Sequence, residues 1–511
     1  MDFLTFLALS LGDRIHPVLL DHTLEGFAVS NRIRTWSISA VVLSFTLMAP
    51  AQVSNADAKI ATRVMTETRD GKATEALVVL NQQADLRPAY SLQTKDAKGE
   101  FVFHALREVA DRTQAAILRT LDSLGVSYQR FYIVNMIQVT GGRALMEQLA
   151  ARADVARIDA NPHVRTALPH FSKVDNGSHV STIEWNILEV KAPDVWNLGY
   201  RGEGLVVAGA DTGVQWDHPA LESHYRGWDG QNVNHDYNWQ DLVEHSATPI
   251  DPNGHGTFTA SIMVGDDGQG NQIGVAPGAK YIECRNMDAN GTGSPASYAG
   301  CFQFLLAPYP VNGDPNQGDP TKAPDAVNSS WLCPPSEGCS VNTLQAIVEA
   351  VRAAGIFPAM GAGNSGPNCS TVDTPPAIYA ASVTVGATNS EDNIATFSSR
   401  GPVTADNSNR IKPNLSAPGQ RIRGAVPGNG YSDGVSGTSV AAPHVAGSIA
   451  LLWQAKPSLK GNIDKTQQVL QLSTVPGQYP TVVHCGLTPS NRPNNNFGWG
   501  ILNILNAVQA P

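Results

Sequence analysis

The chain has 511 residues, of which 42% are hydrophobic, and carries a formal net charge of −10. This length predicts two folded units plus a targeting segment, and 46 glycines with 33 prolines fit a loop-rich globular protein and not a disordered one. The negative charge argues against nucleic acid or an anionic membrane surface as a partner, and no nucleic-acid motif is found.

Residues 1–56 are predicted to be a leader. Arg32 and Arg34 precede WSISAVVLSFTLM (36–48), an apolar run that is too short to span a bilayer, and the small residues APA and SNA follow. This pattern is typical of a secretory signal peptide and predicts a secreted or periplasmic protein with no membrane span in its mature form. Residues 1–30 are interpreted as a mis-called start or a long leader, and a single-pass anchor is the alternative.

Residues 57–168 are predicted to form a small α+β unit. Apolar runs and helical spacing predict a strand, a helix, a strand pair, a second helix and a last strand (75–80, 103–124, 126–141, 142–151 and 155–161). This β-α-β-β-α-β order is the ferredoxin-like plan. The polar stretch 169–184 is interpreted as a linker and processing zone.

Residues 185–511 are predicted to form one α/β domain. Its strands (203–213, 281–288, 326–331, 355–364, 382–388) alternate with helices (257–264, 297–306, 341–354, 440–455, 500–509). Such alternation implies a mostly parallel sheet with helices on both faces, in which sites form at the carboxyl ends of the strands. Asp211 and Asn364 both fall at predicted strand ends.

Ser439 is the centre of the stretch GVSGTSVAAPHVAG (434–447). Glycines permit a close backbone approach before it, and small apolar residues after it predict a buried helix that begins at or beside the serine. Pro443 is expected in the first helical turn, where its missing N–H costs little. A serine at a helix start lies among free N–H groups that favour an oxyanion, although a plain N-cap role is the common alternative.

Three further motifs accompany this stretch: DTGVQWDHP (211–219), NGHGTFTASI (253–262) and GAGNSGP (361–367). With GTSVAAPHVAG (437–447), they resemble the aspartate, histidine, oxyanion and nucleophile segments of subtilisin-like serine proteases (subtilases, peptidase S8), in the same chain order. FGWGILNILNAV (497–508) is similar to the end of the subtilase domain.

The resemblance implies a role for each matched residue. Ser439 would be the nucleophile, His255 the general base and Asp211 the residue that orients the imidazole. Asn364 would donate to the oxyanion. Substrate contacts would come from Ser330 and Trp331 in AVNSSW (326–331) and from Gly291 and Gly293 in GTGSPA (291–296), although Trp331, Leu332 and Cys333 stand where small glycines are usual.

The same resemblance suggests that residues 57–168 are an inhibitory prodomain that is later cut off. The chain's own prodomain would then be an intramolecular inhibitor, and polypeptides would be the substrates. A permanent regulatory domain is the alternative. We expect a monomer.

No cofactor is expected to be required for this chemistry, and the metal ligands are left open. Subtilases often bind structural calcium, but Ala220 replaces a usual aspartate ligand in HPAL (218–221). The loop GDDGQGNQ (265–272) is therefore either a calcium loop or a solvated Gly/Asp turn.

All six cysteines follow residue 280. An even count confined to one domain suits disulfides in an exported protein, and Cys333 with Cys339 is the pair expected first. Six buried free thiols are the alternative.

The function expected is that of an exported serine endopeptidase, made as an autoprocessed zymogen and acting through an acyl-enzyme. One alternative is a non-catalytic binding protein on a subtilase scaffold. Another is an α/β-hydrolase esterase, which would have to use His484 and Asp464 after Ser439.

Overall fold

The computed structural model describes residues 57–169, 171, 174–176, 182–478, 484–486 and 491–511. The predicted leader (1–56) and much of the predicted linker lie outside these residues. No helix in the described part of the chain is both long and apolar enough to cross a membrane.

Residues 62–160 form a four-stranded antiparallel sheet with helices, which we call the ferredoxin-like unit. The strands are Thr74–Leu80, Tyr128–Phe131, Met136–Gly141 and Val155–Ala160, and the helices are Thr62–Glu67, Lys95–Ser123 and Arg143–Ala150. Thr74–Leu80 lies between Met136–Gly141 and Val155–Ala160, and Tyr128–Phe131 is at the edge. This is the β-α-β-β-α-β arrangement predicted from the sequence.

The strand Thr74–Leu80 is apolar on both faces because each face is covered. Ala76, Val78 and Leu80 are buried against the helices of the same unit. The alternate residues Leu77 and Val79 belong to a second cluster, which also contains residues of the helices Pro295–Leu306 and Gln345–Ala353. The sheet thus packs on the larger domain.

The larger domain is built on a seven-stranded parallel sheet. Its strands, in spatial order, are Leu415–Pro418, Val383–Thr388, Phe357–Gly361, Ala326–Ser329, Val206–Asp211, Lys280–Arg285 and Trp239–Asp241. Its helices are Trp185–Glu189, Ala192–Asn197, His255–Val264, Pro295–Leu306, Gln345–Ala353, Thr438–Ala455, Ile463–Ser473 and Ile504–Gln509. This confirms the predicted α/β class with a mostly parallel sheet.

Smaller sheets join the connecting segment, which follows the four-stranded sheet and includes Val164–Arg165, Val174–Asp175 and Thr182–Ile183, to the larger domain. Val164–Arg165 pairs antiparallel with Thr292–Gly293, and Val174–Asp175 pairs with the hairpin Ile422–Val426 and Gly430–Val435. Thr182–Ile183 pairs in parallel with Asn271–Gln272.

The six cysteines form three disulfides: Cys284–Cys301, Cys333–Cys339 and Cys369–Cys485. The expected pair Cys333–Cys339 is confirmed, and the free-thiol alternative is wrong.

Candidate active site

Asp211 and His255 meet at the carboxyl end of a central strand. Asp211 is the last residue of Val206–Asp211, and His255 is the first residue of the helix His255–Val264. Nδ1 of His255 lies 2.7 Å from Oδ1 of Asp211, and both side chains are fully buried. This contact fixes the imidazole with Nδ1–H directed at the carboxylate, so that Nε2 is the basic nitrogen.

Ser439 lies in the first turn of the helix Thr438–Ala455 and is 5% exposed. Its Oγ and the Nε2 of His255 have no hydrogen-bond partner among the described residues. The backbone N–H of Ser439 is at the helix start, where no preceding helical carbonyl is available to accept it.

Asn364 faces Ser439 across Gly437. Its Oδ1 accepts hydrogen bonds from the backbone N–H of Thr438 at 2.9 Å and from the Thr438 hydroxyl at 3.1 Å. Because Oδ1 is held in this way, Nδ2 is the group directed at the site. A Cβ atom on Gly437 would lie 2.8 Å from Oγ of Ser439 and 3.5 Å from Nδ2 of Asn364, so both atoms border the same small space.

The sequence predicted Pro443 in the first turn of the helix, and this prediction is wrong. Pro443 lies inside the helix Thr438–Ala455. It therefore has no N–H for the carbonyl of Ser439, four residues earlier. The hydroxyl of Ser330 donates to that carbonyl at 2.9 Å and satisfies it.

Trp331 lies beside the same cavity but is engaged by the protein. Its ring stacks on Tyr298 with centroids 3.8 Å apart, and its Nε1–H donates to the carbonyl of Ala210 at 2.8 Å. Together with Ser330, it lines a cavity that also contains Asn364 and Ser439.

Gly291 and Gly293 lie along the segment that follows the ferredoxin-like unit. Thr292–Gly293 pairs with Val164–Arg165, and the N–H of Thr166 donates to the carbonyl of Gly291 at 2.9 Å. Thr166, Ala167 and Leu168 line the cavity that contains Ser439. The connecting segment thus enters the candidate active site as an extended strand.

Asp251, which lies outside the motifs recognised in the sequence, joins the aspartate and histidine motifs. Its Oδ1 accepts from the Thr212 hydroxyl at 2.8 Å and the Gly254 N–H at 2.7 Å. Its Oδ2 accepts from the N–H and the hydroxyl of Thr257, at 2.8 and 2.7 Å. A signal was present nearby, because Asp251 lies two residues before the motif NGHGTFTASI and four residues before His255.

Glu283 is a second buried carboxyl near Asp211. Its burial raises its pKa well above the ordinary value, and the charges of Asp211 and Asp251 raise the pKa further. A Cβ on Gly209 would lie 2.2 Å from Oε2 of Glu283, so a larger residue at this position of the central strand would displace the Glu283 carboxyl group.

In the loop 265–272, the carboxylate of Asp267 is already bound by hydrogen-bond donors of the protein. Oδ1 of Asp267 accepts from the N–H groups of Gln269 and Asn271, at 2.8 and 3.0 Å. Oδ2 accepts from the Asn271 amide at 2.6 Å and the Tyr431 hydroxyl at 3.0 Å. Because hydrogen-bond donors already surround this carboxylate, the geometry matches the solvated-turn alternative.

The residues that an esterase would need do not reach Ser439. Nδ1 of His484 lies 3.1 Å from the guanidinium of Arg400, and the carboxylate of Asp464 lies 2.5 Å from the guanidinium of Arg352. The α/β-hydrolase alternative therefore fails.

A model of the subtilase family matches residues 202–500, which is more than half of the chain. The chain belongs to the subtilase family. Bacillopeptidase F of Bacillus subtilis (strain 168) is 38% identical over 396 residues, covering 74% of this chain and 26% of that protein. An alkaline protease of Alkalihalobacillus alcalophilus is 30% identical over 311 residues, covering 60% of this chain and 70% of that protein.

Subtilisin Savinase of Lederbergia lenta is 31% identical over 277 residues, covering 54% of this chain and 86% of that protein. The chain spans about a quarter of the length of Bacillopeptidase F, by the 26% coverage given above. Membership of the subtilase family assigns the chain to the serine-type peptidases.

Proposed function

We propose that this subtilase is an exported endopeptidase that hydrolyses peptide bonds through Asp211, His255 and Ser439 and is made as a zymogen that cuts itself. The observation that carries the proposal is the path of residues 164–168. This segment pairs with Thr292–Gly293 and then runs beside Ser439 and Asn364, as a peptide substrate would.

The proposed chemistry is acyl transfer to water. Oγ of Ser439 attacks the carbonyl carbon of the substrate while Nε2 of His255 takes its proton. Nδ2 of Asn364 and the N–H of Ser439 donate to the oxyanion that forms. The tetrahedral intermediate then collapses and its C–N bond breaks, while His255 returns the proton to the leaving amine. His255 then takes a proton from a water molecule whose oxygen attacks the acyl carbon. It passes this proton to Oγ of Ser439 as the ester bond breaks and the carboxylic acid leaves, and Asp211 orients the imidazole in both steps.

The zymogen part of the proposal assigns residues 57–168 to an inhibitory prodomain, residues 169–184 to the processing zone and residues 185–511 to the catalytic domain. A strand that ends beside Ser439 blocks the site for other peptides until it is released. We propose that the first cut falls next to Leu168, where the prodomain meets the processing zone.

The test compares wild type with Ser439→Ala by intact mass, N-terminal sequence and casein hydrolysis. We expect the exported wild type to lose the residues up to about Leu168 and to digest casein, while Ser439→Ala stays uncut and inactive. Asn364→Ala should process slowly and show a low kcat with little change in KM. Equal processing of all three proteins without casein hydrolysis would instead support a binding protein on a subtilase scaffold.

A further inference from the structure

A disulfide loop borders the segment that enters the active site. Cys333–Cys339 closes this loop two residues after Trp331, and the loop contains the short 3-10 helix Pro335–Glu337. The carbonyl of Glu337 accepts from the guanidinium of Arg63, and its carboxylate faces Arg165.

The N–H of Arg165 donates to Oε2 of Glu337 at 2.7 Å. Thr166 directs its N–H to the carbonyl of Gly291 on one side of the strand. Because N–H groups alternate along a strand, the N–H of Arg165 points to the other side. The segment is therefore held by a backbone strand along one edge and by a side-chain carboxylate along the other.

The shape of this loop depends mainly on the catalytic domain. Its disulfide closes it, and the N–H of Cys333 donates to the carbonyl of Pro375 at 2.8 Å. Inside the loop, the N–H groups of Glu337 and Gly338 donate to the carbonyls of Pro334 and Pro335, both at 3.0 Å. Of the partners named above, Arg63 comes from the ferredoxin-like unit and Arg165 from the segment that follows it. The carboxylate thus stays beside the cleft when that unit leaves.

We propose that Glu337 is a substrate-binding residue of this peptidase. Its carboxylate accepts a hydrogen bond from the main-chain N–H of the substrate residue that takes the place of Arg165. The proposal rests on the proposed endopeptidase function. A hydrogen bond to an ionised acceptor is stronger than one to a neutral carbonyl. Main-chain hydrogen bonds supply much of the affinity when a peptide adds to a strand edge.

Glu337 thereby adds a selectivity against proline at the position of Arg165, which the two glycines Gly291 and Gly293 do not provide. A substrate with proline at this position lacks the N–H, so it leaves the Glu337 carboxylate without its partner and is disfavoured. The disulfide Cys333–Cys339 shares in this selectivity because it fixes the distance between Glu337 and the strand.

The first experiment uses mature wild type and Glu337→Ala with quenched fluorescent peptides of the sequence 161–171. One peptide is unmodified, one is N-methylated at Arg165, and the control is N-methylated at Thr166, whose N–H meets a backbone carbonyl in both enzymes. We expect N-methylation at Arg165 to raise KM about tenfold in wild type and at most about twofold in Glu337→Ala. The Thr166 control should impair both enzymes equally, and Glu337→Gln should be intermediate.

An equal effect of Arg165 N-methylation on both enzymes would overturn the proposal. A wild type that cleaves neither casein nor the unmodified peptide would instead count against the proposed function. A second measurement does not depend on cleavage: residue-resolved hydrogen exchange in full-length Ser439→Ala, with and without Glu337→Ala. Exchange at the Arg165 amide should speed up about tenfold, and exchange at the Thr166 amide should not change. Unchanged exchange at Arg165 would also overturn the proposal.

Discussion

The hydroxyl of Ser330 donates a hydrogen bond of 2.9 Å to the carbonyl oxygen of Ser439. This carbonyl would normally accept from the N–H four residues later in the helix, but that residue is Pro443. Ser330 is itself held by the amide of Asn328, whose Nδ2 lies 3.0 Å from the hydroxyl. The strand Ala326–Ser329 and the residue after it thus fix the position of the proposed nucleophile.

We predict that Ser330→Ala lowers both the free energy of unfolding and kcat. The substitution leaves a buried carbonyl without a donor, which costs about 1–3 kcal/mol. A shift of the Ser439 backbone also disturbs the attack geometry, so kcat should fall about tenfold. Chemical denaturation of Ser330→Ala in the Ser439→Ala background gives the stability, and peptide hydrolysis gives kcat.

The matched control is Pro443→Ala, which supplies the missing N–H. In that background we expect Ser330→Ala to cost less than about 0.5 kcal/mol, because the helix now satisfies the carbonyl of Ser439. Equal costs of Ser330→Ala with and without the proline would contradict this role of Ser330.

We predict that Asp251→Asn lowers kcat about tenfold to a hundredfold with a smaller change in KM. The carboxylate accepts four hydrogen bonds from the aspartate and histidine motifs. An asparagine would direct an NH₂ group at one pair of these donors, so the loop that carries His255 would shift relative to Asp211. Kinetics on one peptide substrate, corrected by active-site titration, would measure the effect.

A folding defect is separated from a positioning defect by the same titration. In Asp251→Asn we expect Ser439 to react with the active-site titrant in most molecules. The pH–rate profile should shift, because the environment of His255 changes. Loss of activity in proportion to loss of titratable sites, with an unchanged profile, would mean that Asp251 serves stability alone.

The central sheet and the candidate triad were predictable from the sequence because their signals are local. The strands at Val206–Asp211 and Phe357–Gly361 are continuous apolar runs between glycines, as expected for strands covered on both faces. Asp211 and Asn364 follow from those strand ends. The contact between Asp211 and His255 then requires only that the histidine motif starts a helix at the same edge.

Other features depend on contacts that are distant in the sequence. The helix predicted at 103–124 begins at Lys95, because Thr94 caps it and Lys95, Lys98 and Gly99 are buried. The sequence KDAKGE is polar, so no apolar periodicity indicates this start. The proposed role of Glu337 likewise depends on a disulfide and on a contact with Arg165, which lies 172 residues earlier in the chain.

We predict that the protein loses stability in acid partly through His444. Burial lowers the pKa of His444 to about 4 and outweighs the hydrogen bond to the carbonyl of Val440, which acts in the opposite direction. The folded state therefore favours the neutral ring. Its stabilising contribution is fully present above the unfolded pKa of about 6.5 and is lost as the pH falls towards 4.

The difference between these pKa values corresponds to about 3 kcal/mol between neutral pH and pH 4. His444→Gln in the Ser439→Ala background should be less stable at pH 7.5 but should show a flatter loss of stability between pH 6.5 and about 4. Urea denaturation at a series of pH values measures this slope. Parallel curves for the two proteins would show that His444 does not titrate in this range.

We predict that Lys95 holds the ferredoxin-like unit to the larger domain after cleavage. Its ammonium group lies 3.3 Å from Asp325 and donates to the carbonyl of Ala323 at 2.7 Å, and both side chains of the ion pair are buried. Lys95→Met should weaken the docked unit while sparing the catalytic domain, because Asp325 keeps Lys460 at 3.2 Å and the N–H of Val206 at 2.9 Å. Since Asp325 keeps these partners, the expected loss is about 1–2 kcal/mol, less than for a fully orphaned buried charge.

The measurement is the time course of casein hydrolysis after processing, together with the amount of residues 57–168 that co-purifies with the catalytic domain. Lys95→Met should shorten the lag before activity about fivefold or more, the factor that corresponds to 1 kcal/mol or more. Lys98→Met is the matched control: it lies on the same helix and is buried, but it has no ion pair in the described structure. If both variants shorten the lag equally, the buried lysine stems hold the unit by packing, and the charge of Lys95 has no specific role.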